Sequence, residues 1–196
     1  MRTPSNRQRL YGTLACVWLL AGWQDAAALP QGSGDPGQVA AVHTFSDAIG
    51  RYARLRARLE EPLPSFDARR DPWSVMLTRR YLASEIRAAR PHARQGDIFA
   101  PPVAQVFRRV IGQAIRNAGS GGLVDKDLDV SDFLVDLAVN EPVPAWAILL
   151  LPEALLDRLP PLPAAIEYRI VNGNLILWDL HAEIVIDALS DAFVVQ

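Results

Sequence analysis

The stretch 167–179 constrains the fold of this chain more than any other. Residues 167–171 (EYRIV) and 175–179 (LILWD) are rich in β-branched, aromatic and aliphatic side chains, and only Asn172-Gly173-Asn174 separates them. Asn-Gly adopts the positive φ angles of a tight turn at little cost, so the two segments are expected to form an antiparallel hairpin. A strand with one wet face alternates apolar and polar residues. Leu175, Ile176, Leu177 and Trp178 are continuously apolar, so their strand is expected to be central and covered on both sides. Residues 184–189 (IVIDAL) supply a third strand after a turn at 180–183. Such a sheet needs other elements to cover it, and the preceding chain must provide them.

The preceding chain has helical periodicity. Val42, Phe45, Ile49, Tyr52 and Leu59 fall on one stripe, with Ala48 and Leu55 joining it and Arg51, Arg54 and Arg58 largely off it. This first helix is expected from Val39 to Glu61, where Pro62 and Pro64 stop it. Asp71-Pro72 pairs an N-cap acceptor with a proline suited to the first turn. A second helix therefore spans residues 73–89, burying Met76, Leu82, Ile86 and Tyr81. Pro101-Pro102 opens a third, with Val103, Val106, Phe107, Val110, Ile111 and Ile115 as its apolar face and Asn117 and Gly119 as its close.

Between helices and hairpin the signals are shorter. Residues 119–122 (GSGG) read as a joint, 133–139 as a strand, 146–151 as a strand or buried turn, and 152–159 as a short helix. Pro160, Pro161 and Pro163 form an extended connector. The expected architecture is α+β: an N-terminal three-helix layer packed on a small antiparallel C-terminal β-meander.

The first residues carry a different message. Arg2, Arg7 and Arg9 precede a 14-residue apolar stretch, residues 10–23, and Ala26-Ala27-Ala28 follow. This is the pattern of a secretory signal peptide cleaved after Ala28, with an uncleaved anchor as the alternative. Cys16 does not end the apolar run, as a lipidated cysteine would. The resulting division is 1–28 signal peptide, 29–38 flexible Gly/Pro/Ser linker, and 39–196 one domain. Within that domain 39–118 is helical and basic, and 123–196 is mixed and acidic, with the meander at 167–189. A processed chain of 168 residues would hold no cysteine, which points to a bacterial periplasm or exterior and to a fold without disulfides.

The whole chain has 20 basic and 22 acidic residues, but that near-balance hides an asymmetry. Residues 51–116 hold 14 basic and 6 acidic side chains, whereas residues 117–196 hold 3 basic and 13 acidic ones. Two such halves can neutralise each other, drive head-to-tail self-association, or offer the helical face to an anionic surface.

Two segments carry a resemblance. Residues 159–189 (LPPLPAAIEYRIVNGNLILWDLHAEIVIDAL) and 89–111 (ARPHARQGDIFAPPVAQVFRRVI) resemble a family of small secreted bacterial proteins of unknown function. The C-terminal segment is also similar to the β-module of the periplasmic nickel/cobalt homeostasis regulator family, through Tyr168, Arg169, Asn172, Leu175, Asp179 and residues 184–187. That second resemblance implies a small β-meander in an envelope protein. The chain has no Met- or His-rich tract, so it implies no metal site here.

Three constellations could carry chemistry. Asp179, His181 and Asp187 place a histidine among carboxylates, as a proton shuttle or metal ligand requires; equally, Asp179 caps the turn and His181 lies at the surface. Asp125, Asp127 and Asp129 have the alternate spacing of a calcium loop, with Asp136 twelfth, but Val130 stands where the sharp turn wants glycine. Arg90 and Arg94, flanking Pro91 near Gly96, could clamp a carboxylate or phosphate, pair with Asp97, or bond helix-end carbonyls. The aromatic residues Trp73, Trp146, Trp178, Tyr52, Tyr81 and Tyr168 could line a pocket, and core packing is the expectation. Phosphate loops, zinc-hydrolase motifs, dinucleotide fingerprints and the G-x-S-x-G elbow are absent from the sequence.

The expected function is accordingly an exported envelope protein acting as a non-catalytic binding or interaction module. It would need no cofactor, bind no nucleic acid and keep no transmembrane span after processing. A hydrolase using carboxylates and His181, or an accessory factor in periplasmic metal homeostasis, are the alternatives.

Overall fold

Aspartate and proline set the helix starts. The computed structural model describes residues 35–66, 71–118 and 135–193. Helix α1 (Pro36–Glu60) begins where the Asp35 side chain accepts the Gly37 N–H, so it takes in residues 36–38 that the sequence assigned to a linker. Pro36 sits in the first turn, where its missing N–H has no consequence. Helix α2 (Pro72–Ala89) is capped in the same manner by Asp71, which accepts the Ser74 N–H at 3.0 Å. Helix α3 (Pro101–Ala118) opens on its proline pair as expected.

A single turn of 3-10 helix at Ala145–Ala147 leads into strand β1 (Leu149–Leu150). The short helix α4 (Glu153–Leu156) and three longer strands follow: β2 (Ile166–Val171), β3 (Asn174–Asp179) and β4 (Ile184–Leu189). The sheet runs β1-β2-β3-β4, antiparallel throughout. The β2–β3 turn contracts to two residues, Asn172 and Gly173, with φ of 49° and 70°. Positive φ at both central positions matches the right-handed twist of the flanking strands. The fold is thus α+β, with helices first and an antiparallel sheet at the C-terminus. Residues 135–139, expected within a strand, are irregular, and their Val135 and Leu137 instead pack on the sheet.

Both faces of the sheet are covered. On one side Leu175, Leu177, Ile184, Ile186 and Leu189 join Phe45, Leu82, Phe99 and Phe107 in the main core. Phe45 stands at its centre, 4.9 Å from Phe107, 5.9 Å from Phe99 and 6.4 Å from Tyr168 between ring centroids. On the other side Ile176, Trp178, Val185 and Ala188 pack under Val143, Ala147, Val135 and Leu137. The continuous apolar run of β3 therefore divides between two cores.

A β-bulge in β4 rearranges this alternation. Leu177 lies opposite Asp187 and Trp178 opposite Val185, so Ile186 has no partner in the ladder. Without the bulge, Asp187 would share a face with Val185 and Leu189. With it, Ile186 and Leu189 face the helices, Val185 and Ala188 face away, and Asp187 reaches the loop between α2 and α3. Bulges commonly redirect a side chain in this way.

The basic and acidic halves meet across the helix–sheet junction. Arg56 pairs with Asp179, Arg79 with Glu183, and Arg87 with Glu141. Part of the charge asymmetry in the sequence is thereby neutralised within the chain.

Candidate functional site

Polar groups gather where α1 and α2 meet the sheet. Arg56 lies one turn after Tyr52 on the stripe that also holds Phe45 and Ile49, so the helix carries its guanidinium into the interior. Asp179, at the end of β3, is fully buried. Its Oδ1 accepts the His181 and Ala182 N–H groups, both at 2.9 Å, and so caps the β3–β4 turn. Its Oδ2 accepts the Tyr52 hydroxyl at 2.7 Å. Arg56 Nε stands 3.0 Å from the same oxygen, although its N–H points off the bonding line and the contact is an ion pair only.

Arg56 also reaches Glu60, at 2.7 Å between Nη2 and Oε2. His181 Nδ1 lies 2.5 Å from Arg56 Nη2 and 2.6 Å from Glu60 Oε1, and Phe66 stacks on the imidazole at 4.5 Å. One ring nitrogen cannot serve both partners. A bare Nδ1 accepts from Arg56, whereas a protonated Nδ1 donates to Glu60. Burial, then the Asp179 carboxylate, pushes the Tyr52 hydroxyl far above its ordinary range. Tyr52 is consequently a fixed donor rather than a base or nucleophile.

Asp187 belongs to a second centre. Its carboxylate accepts four backbone N–H groups: Gly96 at 2.7 Å and Ala188 at 2.8 Å on Oδ1, Ile98 at 2.7 Å and Phe99 at 2.8 Å on Oδ2. Gly96, at φ 90°, makes the turn that aims these donors at one point. Burial raises the Asp187 carboxyl above its ordinary value, and the four bonds oppose that rise. The expected grouping of Asp179, His181 and Asp187 is therefore divided. Asp179 and His181 share the Arg56 cluster, while Asp187 anchors the α2–α3 loop.

Arg90 lies between the centres without forming a clamp with Arg94. Its guanidinium stacks over Tyr52 at 5.0 Å, donates to Asn140 Oδ1 at 2.8 Å and to the Ile186 carbonyl at 3.3 Å. Asn140, at φ 64°, is buried and returns a bond to the Arg90 carbonyl. Arg94 is exposed, and its backbone N–H donates to Asp97. Asp125, Asp127 and Asp129 lie outside the described residues. Among the described residues no group of three or more His, Cys, Asp or Glu side chains is placed to hold a metal ion.

The aromatic residues also divide. Tyr52, Tyr168 and Trp178 are core, whereas Trp73 is 65% exposed, Tyr81 54% and Trp146 64%. Tyr81, expected to be buried, lies on the exposed flank of α2, outside the face formed by Thr78, Leu82 and Ile86. Leu77, 49% exposed, completes an outward stripe with Trp73 and Tyr81. Sequence reasoning missed Arg56, Glu60 and Asn140. The available signal for Arg56 was its spacing of four from Tyr52 on an apolar stripe; nothing local marks Asn140.

No family model matches the chain, and neither a curated protein nor a solved structure does.

Proposed function

We propose that the chain is an exported envelope protein that works by binding rather than by catalysis. The observation that carries this reading is a contrast between interior and surface. The acidic, basic and hydroxyl groups suited to chemistry are engaged with one another: Asp179 with Tyr52 and Arg56, Asp187 with four N–H groups, Arg90 with Asn140. His181 is engaged likewise, by Arg56 and Glu60. The surface of α2, by contrast, exposes Trp73, Leu77 and Tyr81, which large apolar side chains do at contact sites. The charged n-region, apolar run and Ala26-Ala27-Ala28 support the export half of the reading.

The test combines location, binding and turnover. The chain should be recovered with the cell envelope, and purified protein should cosediment with isolated envelopes. Binding should survive His181→Ala and fall with Leu77→Asp. Cytoplasmic recovery would overturn the export half. Failure to cosediment, or hydrolysis of envelope substrates that disappears in His181→Ala, would overturn the binding half.

A further inference from the structure

The exposed face of α2 combines features that favour one class of partner. At about 100° per residue, Trp73, Leu77, Arg80 and Ser84 project away from the buried Thr78, Leu82 and Ile86, and Tyr81 borders that outer face. Trp73 and Tyr81 flank Leu77 along a stripe of roughly 12 Å. Arg80 is exposed beside them and makes no ion pair or hydrogen bond among the described residues, whereas Arg79 and Arg87 on the same helix are paired to Glu183 and Glu141. The helix contains one acidic residue, the half-buried Glu85. On α1, Arg51, Arg54 and Arg58 are likewise exposed and without such partners.

Area and charge separate the candidate occupants. The exposed parts of Trp73, Leu77 and Tyr81 offer roughly 350 Å². That is well below the ~800 Å² that each partner of a stable protein pair contributes. A bilayer needs less, because Trp and Tyr rings settle at the headgroup boundary, Leu enters the acyl region and Arg meets lipid phosphate. A second copy of this chain docking through the same face would add a second unpaired Arg80 and, with Glu85 half-buried, no exposed acidic residue of α2 to neutralise it. We infer that the outer face of α2 docks on an anionic lipid surface, with Trp73, Leu77 and Tyr81 entering the interface and Arg80 pairing with headgroup phosphate. This deepens the binding reading above by naming the partner of its surface.

The test reads the depth of α2 directly. The full chain carrying Cys16→Ser and Leu77→Cys is labelled at the new thiol with an environment-sensitive NBD dye. A parallel protein carries the dye through Asp157→Cys, an exposed position after α4. With vesicles of equimolar phosphatidylglycerol and phosphatidylcholine, emission from the position-77 dye should shift to the blue while the position-157 dye stays in water. Pure phosphatidylcholine should give little shift. Arg80→Glu changes the local charge by two units and should reduce the shifted fraction's apparent affinity by roughly 30-fold.

A position-77 dye that remains in water with the anionic vesicles overturns the inference, as does an equal shift at both positions. A shift without vesicles that grows with protein concentration assigns the face to a second copy and also overturns it, and indifference to Arg80→Glu overturns the phosphate contact. Envelope cosedimentation together with a water-exposed dye would leave the binding function standing and reject only lipid as the partner.

Discussion

Arg56→Met probes the buried network most sharply, because Arg56 is the cation that balances a fully buried carboxylate. Its Nε lies 3.0 Å from Asp179 Oδ2, and the Asp179 side chain has no solvent exposure. Methionine retains much of the aliphatic length of arginine but leaves Asp179 with only the Tyr52 hydroxyl and two turn N–H groups. Breaking one side of a buried ion pair costs about 3–5 kcal/mol. For a chain of this size, that lowers the melting temperature by roughly 6–20 °C. Adding Asp179→Asn should reverse much of the loss. The asparagine oxygen can keep the His181 and Ala182 N–H bonds while its amide donates to the Tyr52 oxygen, leaving no charge to balance. The double variant should regain about 2–3 kcal/mol relative to Arg56→Met alone. Urea unfolding of the wild type, both single variants and the double variant forms a complete cycle. A loss below about 1 kcal/mol for Arg56→Met would refute the reasoning, as would simple addition of the two single effects.

Asp187 should give folding stability a pH dependence of defined sign. Burial, its largest influence, lifts its carboxyl above the ordinary value of 3.8. The folded chain then binds this proton more tightly than the unfolded chain. Its contribution is complete below the unfolded carboxylate value and is lost as pH rises through the raised one. Asp187→Asn should remove that slope from urea-unfolding profiles; it should also lower overall stability, because an amide accepts through only one oxygen and strands two of the four N–H groups. Persistence of the slope would assign it to another group. At the hairpin, Gly173→Ala should cost about 1 kcal/mol through backbone strain, because φ is 70° and an added methyl meets nothing within 4 Å. A thermal-melt loss several times larger would mean that the turn has a packing role.

The local elements were readable because their causes are local. Asp71-Pro72 and Pro101-Pro102 mark helix starts in a few residues, and Asn172-Gly173 marks the hairpin. The first helix was read three residues short, because a Gly- and Pro-containing stretch resembles a linker until Asp35 is recognised as its cap. Tyr81 was misplaced for a different reason. Aromatic character alone favours the interior, but the position of α2 against α1 and the sheet turns Trp73, Leu77 and Tyr81 outward. That face could not be read from the helix by itself.

Asp179 and Asp187 show where sequence and tertiary structure part. The sequence by itself determined an antiparallel hairpin, a central strand with two buried faces, three helices, two of them opened by proline, and a basic half followed by an acidic one. These follow from residue type and spacing along the chain. It could not assign the destinations of the two aspartates, because a buried charge is stabilised by groups far away in sequence: Tyr52 and Arg56 for Asp179, and the 96–99 loop for Asp187. The β4 bulge made the difference for Asp187. By leaving Ile186 outside the ladder, it turned Asp187 toward the α2–α3 loop. Only the folded sheet, packed against its helices, determines on which face that carboxylate finds its donors.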